Sequence, residues 1–217
     1  MSDKLIGVYG ASGFGKEVMP LVRAQFTELN KEHFVFIDDG QANTDLNGYQ
    51  VLSYTDFINN SKTDKRVTIA IANSQVREKL VARLDQDSVQ HLEIQAANTV
   101  ILDEVEMGEG SLLCPFTCIT SNIKIGKFFH ANIYSYVAHD CVIGDYVTFA
   151  PGVKCNGNIH IEDHAYIGTG AVIKQGTPDK PLVIGKGAVV GMGAVVTKSV
   201  PAGVTVVGNP ARILEKK

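Results

Sequence analysis

The sequence predicts two domains in series: an α/β domain with a small parallel sheet over residues 1–90, then a β-solenoid over residues 91–217. Three observations predict it. Apolar runs and polar helical stretches alternate through the first segment, aliphatic residues recur every six positions through the second, and most of the 21 glycines fall in the second. A chain of 217 residues is long for a single core, and 45% hydrophobic with 20% charged residues is the composition of a packed globular protein.

The first elements alternate strand and helix. LIGVY from Leu5 reads as a strand, Lys16 to about Leu29 as a helix, and HFVFIDD as a second strand. YQVLSY and TDFINN supply a short strand and a short helix. RVTIAIA is a further strand, followed by a helix from Ser74 to Asp85. Strand-helix alternation of this kind builds a parallel sheet with helices on its faces.

From Ile101 no helical period fits. Steps of six give Ile101, Met107, Leu113, Ile119, Ile125, Ala131, Val137, Ile143, Phe149, Cys155, Ile161, Ile167 and Ile173, with no polar residue among them. The residue two positions earlier is usually small or β-branched. A six-residue repeat with an inward aliphatic suits a solenoid in which three hexapeptides complete each 18-residue coil. QGTPDKPLV breaks the phase, and Ile184, Val190 and Val196 resume it, which marks an external loop. About five coils at the ~4.8 Å strand spacing make a prism roughly 25 Å long.

The formal net charge of −3 and the lack of a basic run argue against nucleic acid as a partner. No apolar run reaches the roughly 18–20 residues that cross a bilayer, and the amino end lacks a signal-peptide pattern, so a soluble cytoplasmic protein without membrane attachment is expected. Cys114, Cys118, Cys141 and Cys155 form no CxxC pair, so free thiols and no metal site are expected.

VIGDYV, YIGTGAVI and VIGKGAVVGMGAVVTKSVPAGVTVVGNPAR resemble the hexapeptide-repeat acyltransferases. With the amino-terminal GASGFG and the internal AHDCVIGD, the chain resembles over its whole length the NeuD/PglD-like family of sialic-acid O-acetyltransferases and nucleotide-aminosugar N-acetyltransferases. The resemblance implies a small Rossmann-like nucleotide-sugar-binding domain, a left-handed hand for the β-helix, acetyl-CoA as co-substrate, a homotrimer with sites in the grooves between prisms, and a role in surface polysaccharide biosynthesis. The implied reaction acetylates the 4-amino group of a UDP- or dTDP-linked 4-amino-4,6-dideoxyhexose. The alternative is O-acetylation of sialic acid or another sugar; a degenerate scaffold and an NAD enzyme are more distant readings.

Acetyl transfer needs a base for the attacking amine and donors for the tetrahedral oxyanion. Of six histidines, His139 falls two positions past the inward Val137, at a corner, and Asp140 follows it. By the resemblance His139 is the general base and Asp140 orients it. The family's bacillosamine enzyme has Glu in place of Asp140 and a second His in place of Thr148. Asn132 matches a polar, site-lining position. Gly157, Gly168, Gly191 and Gly193 are expected along the acetyl-CoA groove, with the Gly157 amide toward the thioester carbonyl and Lys198 and Arg212 toward CoA phosphates. Such glycines also suit corners that need positive φ. Cys141 occupies an inward position and is not expected to be a nucleophile.

At the amino end, GASGFG places Gly10, Ser12, Gly13, Phe14 and Gly15 between a strand and a helix, where backbone amides favour phosphate. Its GxxGxG spacing departs from the dinucleotide fingerprint. Asp38 and Asp39 close the next strand and suit a ribose or base. Asn73 and Arg77 follow another strand, Asn73 as substrate contact or helix cap and Arg77 as phosphate partner or surface cation.

Overall fold

A computed structural model describes residues 3–215, and the chain divides into two units, Met1–Ile94 and Gln95–Lys217. The division falls a few residues past 90 because Gln90–His91 still adds a strand to the first sheet.

In the first unit the strands are β1 (Lys4–Tyr9), β2 (Phe34–Ile37), β3 (Thr44–Leu46), β4 (Tyr49–Leu52), β5 (Asp64–Ile69) and β6 (Gln90–His91). They lie in the order β3-β4-β2-β1-β5-β6, parallel except for the β3–β4 hairpin. Ile6, Val8, Phe36, Ile37, Val51 and Phe57 are wholly buried. The helices are α1 (Gly13–Gln25), α2 (Tyr54–Ile58) and α3 (Ser74–Gln86). The first begins three residues before Lys16 and stops before Leu29, because the glycine loop runs directly into helix. Close packing requires this: a Cβ on Gly15 would stand 1.9 Å from the Gly10 carbonyl oxygen.

The second unit is a three-faced stack of short parallel strands. Its sheets contain eight, six and five strands, so two faces are longer than a five-coil estimate. The strands Ile94–Gln95 and Thr205–Val207 extend one face at either end, and Arg212–Ile213 closes it antiparallel. Register follows the repeat: Val137 lies beside Cys155, Cys155 beside Ile173, and Ile173 beside Val196. The six-step residues are buried from Leu113 to Val196, whereas Ile101, in the first coil, is half-exposed.

The corners explain the alternation of residue types. Asn122, Asp140 and Asn158 stack at φ near +58°, +57° and +55°. A second corner carries Phe116 and Tyr134, a third Phe128, Tyr146 and His164, all at positive φ. Left-handed backbone costs a non-glycine residue about 1–2 kcal/mol. Ring stacking offsets it, with centroids 5.4 Å apart for Phe128 and Tyr146 and 5.3 Å for Tyr146 and His164.

Candidate active site

The strand Tyr136–Val137 ends in a corner that carries His139, Asp140 and Cys141. Left-handed backbone at Asp140 folds its carboxylate back onto the neighbouring ring, and Oδ2 lies 2.7 Å from His139 Nδ1. A carboxylate only accepts, so Nδ1 carries the hydrogen and Nε2 is left as the basic nitrogen. Both side chains are about half-exposed, at 49% and 46%. The hydrogen bond from His139 holds the Asp140 carboxyl below the usual carboxylate range against the opposing effect of desolvation, and the hydrogen bond from Asn122 lowers it further. Asn122, one coil earlier, donates Nδ2 to Asp140 Oδ1 at 3.3 Å. The sequence reading missed Asn122, because its signal is the 18-residue spacing to Asp140.

One coil beyond, Gly157 lies against the imidazole, where a Cβ would come within 2.5 Å of Cε1. Its backbone is held by the preceding residue, a second one the sequence reading passed over. Asn156 accepts from the Tyr136 hydroxyl at 2.8 Å and donates to the Ile173 carbonyl at 2.7 Å. Cys141 points inward, 1% exposed, with its thiol toward the Asn156 carbonyl at 3.2 Å. The hydrogen bond that the Cys155 thiol donates to Cys141, together with burial, pushes the Cys155 thiol well up. Neither thiol faces a ligand.

The other glycines divide by cause. Only Gly193 has a positive φ, +66°, with open space around its missing side chain. Gly157, Gly168 and Gly191 are not left-handed corners. They are demanded by close approach: a Cβ on Gly168 would stand 2.6 Å from the Met192 amide, and one on Gly191 2.7 Å from Val207. Lys198 and Arg212 line one cavity of about 360 Å³. Thr148 is buried in the strand Thr148–Phe149. Asn132 follows the strand His130–Ala131, so it and His139 bracket Tyr136–Val137 from opposite ends; its Oδ1 accepts from the Ile133 amide. Within one chain they occupy different corners.

In the first unit, Gly10 turns at φ +110° and the exposed Ser12 and Gly13 open α1, the end of a helix at which backbone amides favour an anion. Phe14 is half-buried and Gly15 buried in that turn. Asp38 ties the loops together, accepting from the amides of Ala11 and Gly40 at 3.1 and 3.0 Å. Asp39 accepts from the Tyr54 amide at 2.8 Å and lies 3.6 Å from Arg83, whose guanidinium covers the Tyr54 ring. Asn73 caps α3 through the Val76 amide. Arg77 is not a surface cation: it is fully buried and donates to the carbonyls of Ile71 and Ala72. Its position one turn into α3 turns it under the loop after β5, out of reach of a solvent phosphate.

A stack of hexapeptide coils presenting an imidazole–carboxylate pair and a bare backbone corner defines an acyltransferase of the left-handed β-helix class. Comparison with known proteins agrees. Residues 5–84 match the PglD N-terminal domain. The chain is 50% identical over 214 residues to a GDP-perosamine N-acetyltransferase of Escherichia coli O157:H7, covering 98% of this chain and 97% of that protein. The structure of WeeI from Acinetobacter baumannii AYE is 83% identical, with a TM-score of 0.97 over 97% of this chain and all of that one. The acetyltransferase domain of PglB from Neisseria gonorrhoeae FA1090, in complex with acetyl coenzyme A, is 27% identical with a TM-score of 0.82, over 99% of this chain and all of that one. The chain belongs to the NeuD/PglD-like acetyltransferase family and is an acetyl-CoA-dependent sugar N-acetyltransferase that acts on a nucleotide-linked aminosugar. Among the described residues no helix is long and apolar enough to cross a membrane, and no three His, Cys, Asp or Glu side chains group as metal ligands.

Proposed function

We propose that this chain acetylates the 4-amino group of a GDP-linked 4-amino-4,6-dideoxyhexose, with perosamine as the sugar. The guanine carrier is preferred to UDP or dTDP because the full-length relative at 50% identity is a GDP-perosamine N-acetyltransferase. Asp39, an exposed carboxylate beyond the strand ends, suits the donor edge of guanine, and the first-turn amides of Gly13, Phe14 and Gly15 suit the diphosphate. Gly10 and Ser12 shape that loop, with Asp38 and Asn73 bracing it.

The observation that carries the mechanism is the 2.7 Å contact between His139 Nδ1 and Asp140, which leaves Nε2 free to accept a proton. The sugar amine attacks the thioester carbonyl as Nε2 takes its proton. The Gly157 amide donates to the resulting oxyanion. Collapse breaks the carbon–sulfur bond, and the imidazolium returns its proton to the CoA thiolate. No acyl-enzyme is required. Asn132, Gly168, Gly191 and Gly193 line the partner side of the site in a homotrimer, which is why they sit away from the corner of His139. The reaction belongs to the cytoplasm, where acetyl-CoA and nucleotide sugars are found.

Thiol release from acetyl-CoA, measured with GDP-, UDP- and dTDP-linked 4-amino sugars beside free sialic acid, tests the substrate. Turnover with GDP-perosamine alone is expected; turnover with sialic acid alone reassigns the enzyme to O-acetylation. His139→Asn is expected to lower kcat by roughly 10²–10⁴. Near-native turnover in that variant removes the general base.

A further inference from the structure

The Gly157 amide and the Asn156 carbonyl belong to one planar peptide group, so whatever fixes that carbonyl also fixes the N–H. The side chains that do so have no part in the chemistry so far. Buried under the His139 corner, the Cys141 thiol lies 3.2 Å from the Asn156 carbonyl and 3.6 Å from the His139 carbonyl. The His139 carbonyl already accepts from the Asn158 amide at 3.0 Å. Among the described residues the Asn156 carbonyl is met by thiols alone, Cys141 at 3.2 Å and Cys155 at 3.9 Å. The Cys141 S–H is therefore its principal donor. A hydrogen bond received on a carbonyl also strengthens the N–H of the same peptide as a donor.

The ladder between coils changes at this point. Thr120, Ala138 and Lys174 donate their backbone amides to the next coil, to the carbonyls of Val137, Cys155 and Val196 at 3.0, 2.8 and 2.8 Å. In the equivalent place the Ile173 carbonyl accepts from the side chain of Asn156, with Nδ2 at 2.7 Å. The other end of that side chain is held by Tyr136, whose hydroxyl donates to Oδ1 at 2.8 Å. A side-chain amide bonded at both ends has a single orientation. The peptide before Gly157 is thus fixed from the core by Cys141 and from the outer surface of the sheet by Tyr136 and Asn156, on the coil whose glycine meets the His139 ring.

We propose that Tyr136, Cys141 and Asn156 are positioning residues for acetyl transfer, which together orient the Asn156–Gly157 peptide so that its N–H donates to the thioester oxygen. That role rests on the Gly157 amide meeting the oxyanion, and the tests separate the two. Cys141→Ala and Cys141→Ser introduce side chains of nearly equal size that differ in the donor. A thiol that only filled the core would be replaced better by alanine, which needs no partner when buried. The reverse is expected: serine keeps kcat within about 2-fold of wild type and alanine lowers it about 5–20-fold, part of the 10²–10³ that an oxyanion donor is worth. Asn156→Ala is expected to lower kcat about 10–50-fold and Tyr136→Phe about 2–5-fold, with KM for both substrates nearly constant. Tyr136→Phe removes only a hydroxyl and carries the test where Asn156→Ala does not fold. The acid limb of the pH profile of kcat/KM is expected to stay in place in all four variants, since none touches the bond between His139 and Asp140. Alanine at position 141 as active as serine overturns the role of the thiol, and a displaced acid limb overturns the route through Gly157.

Isotope-edited infrared spectra of bound acetyl-CoA read the donor directly. Binding to the wild-type protein is expected to lower the thioester carbonyl frequency, Cys141→Ala and Asn156→Ala to lower it less, and Cys141→Ser to regain the wild-type value. An undiminished lowering in both alanine variants overturns the positioning role and leaves the Gly157 assignment standing. No lowering in the wild-type protein overturns that assignment, and the positioning role with it.

Discussion

Gly157 meets His139 face to ring: a Cβ built on the glycine would stand 2.5 Å from Cε1, 2.6 Å from Nε2 and 3.0 Å from Nδ1. The imidazole therefore rests on bare backbone one coil away. The absence of a side chain is what admits the ring.

Gly157→Ala is expected to displace the ring or the corner by about an ångström. Misplacement on that scale costs on the order of 10²-fold in rate. The loss should appear in kcat with the KM for the sugar nearly constant, and overpacking should cost about 1–3 kcal/mol of stability. Wild-type kcat in this variant removes the steric account of the corner.

Asn122 and Asp140 hold the ring from the other side. Asp140→Ala frees Nδ1 and is expected to lower kcat more than Asn122→Ala, which removes only the 3.3 Å contact to Asp140 Oδ1. About 10–100-fold is expected for the first and 2–10-fold for the second, by analogy with general-base assistance worth 10²–10⁴ in all. A double variant no slower than Asp140→Ala shows that Asn122 acts through the carboxylate; additive losses give it a separate role.

Arg77 is a buried cation bonded to two loop carbonyls at 2.8 and 3.3 Å. Arg77→Ala leaves those carbonyls without their donor and is expected to cost about 1–3 kcal/mol for each carbonyl left unsatisfied, read from denaturant unfolding. Weakened nucleotide affinity with unaltered unfolding would instead give the guanidinium a direct contact with substrate.

Acid stability has a specific contributor in the first unit. Arg66 donates Nε and Nη2 to the two carboxylate oxygens of Asp64, both at 2.9 Å, and this holds the Asp64 carboxyl below its ordinary value. With the folded pKa below the unfolded one of about 3.9, the pair stabilises fully above that pH and is lost as the pH falls through the lower folded value. Asp64→Asn should therefore cost a few tenths to about 1 kcal/mol at pH 7. The cost should shrink in unfolding curves as the pH falls below about 3.9; a difference that does not shrink argues for packing alone.

Much of the architecture was legible because a core obeys local arithmetic. Leu113 through Val196 are buried at the six-residue step, and a solenoid coil repeats the same environment each time, so periodicity and position coincide. The helix of GASGFG was misplaced by three residues since glycine argues against helix by propensity, while contact with Gly10 selects it by packing. His139 and Asp140 stood out as adjacent polar residues at a corner. Asn122 and Asn156 did not, because each gains meaning from a neighbour one coil away.

The amino-acid sequence by itself determined the solenoid, its phase, the place where the phase breaks and the residue types able to carry the chemistry. Tertiary structure decided which of these meet. Left-handed backbone at Asp140 turns its carboxylate onto His139, where alternation in an extended strand would point the two apart. Burial converts Arg77 from a candidate phosphate ligand into a brace, and close approach, not turn conformation, accounts for Gly157, Gly168 and Gly191. The reason is common to all of them: periodicity is a one-dimensional property of the chain, while the surroundings of a side chain are set by segments that return to it after a full coil.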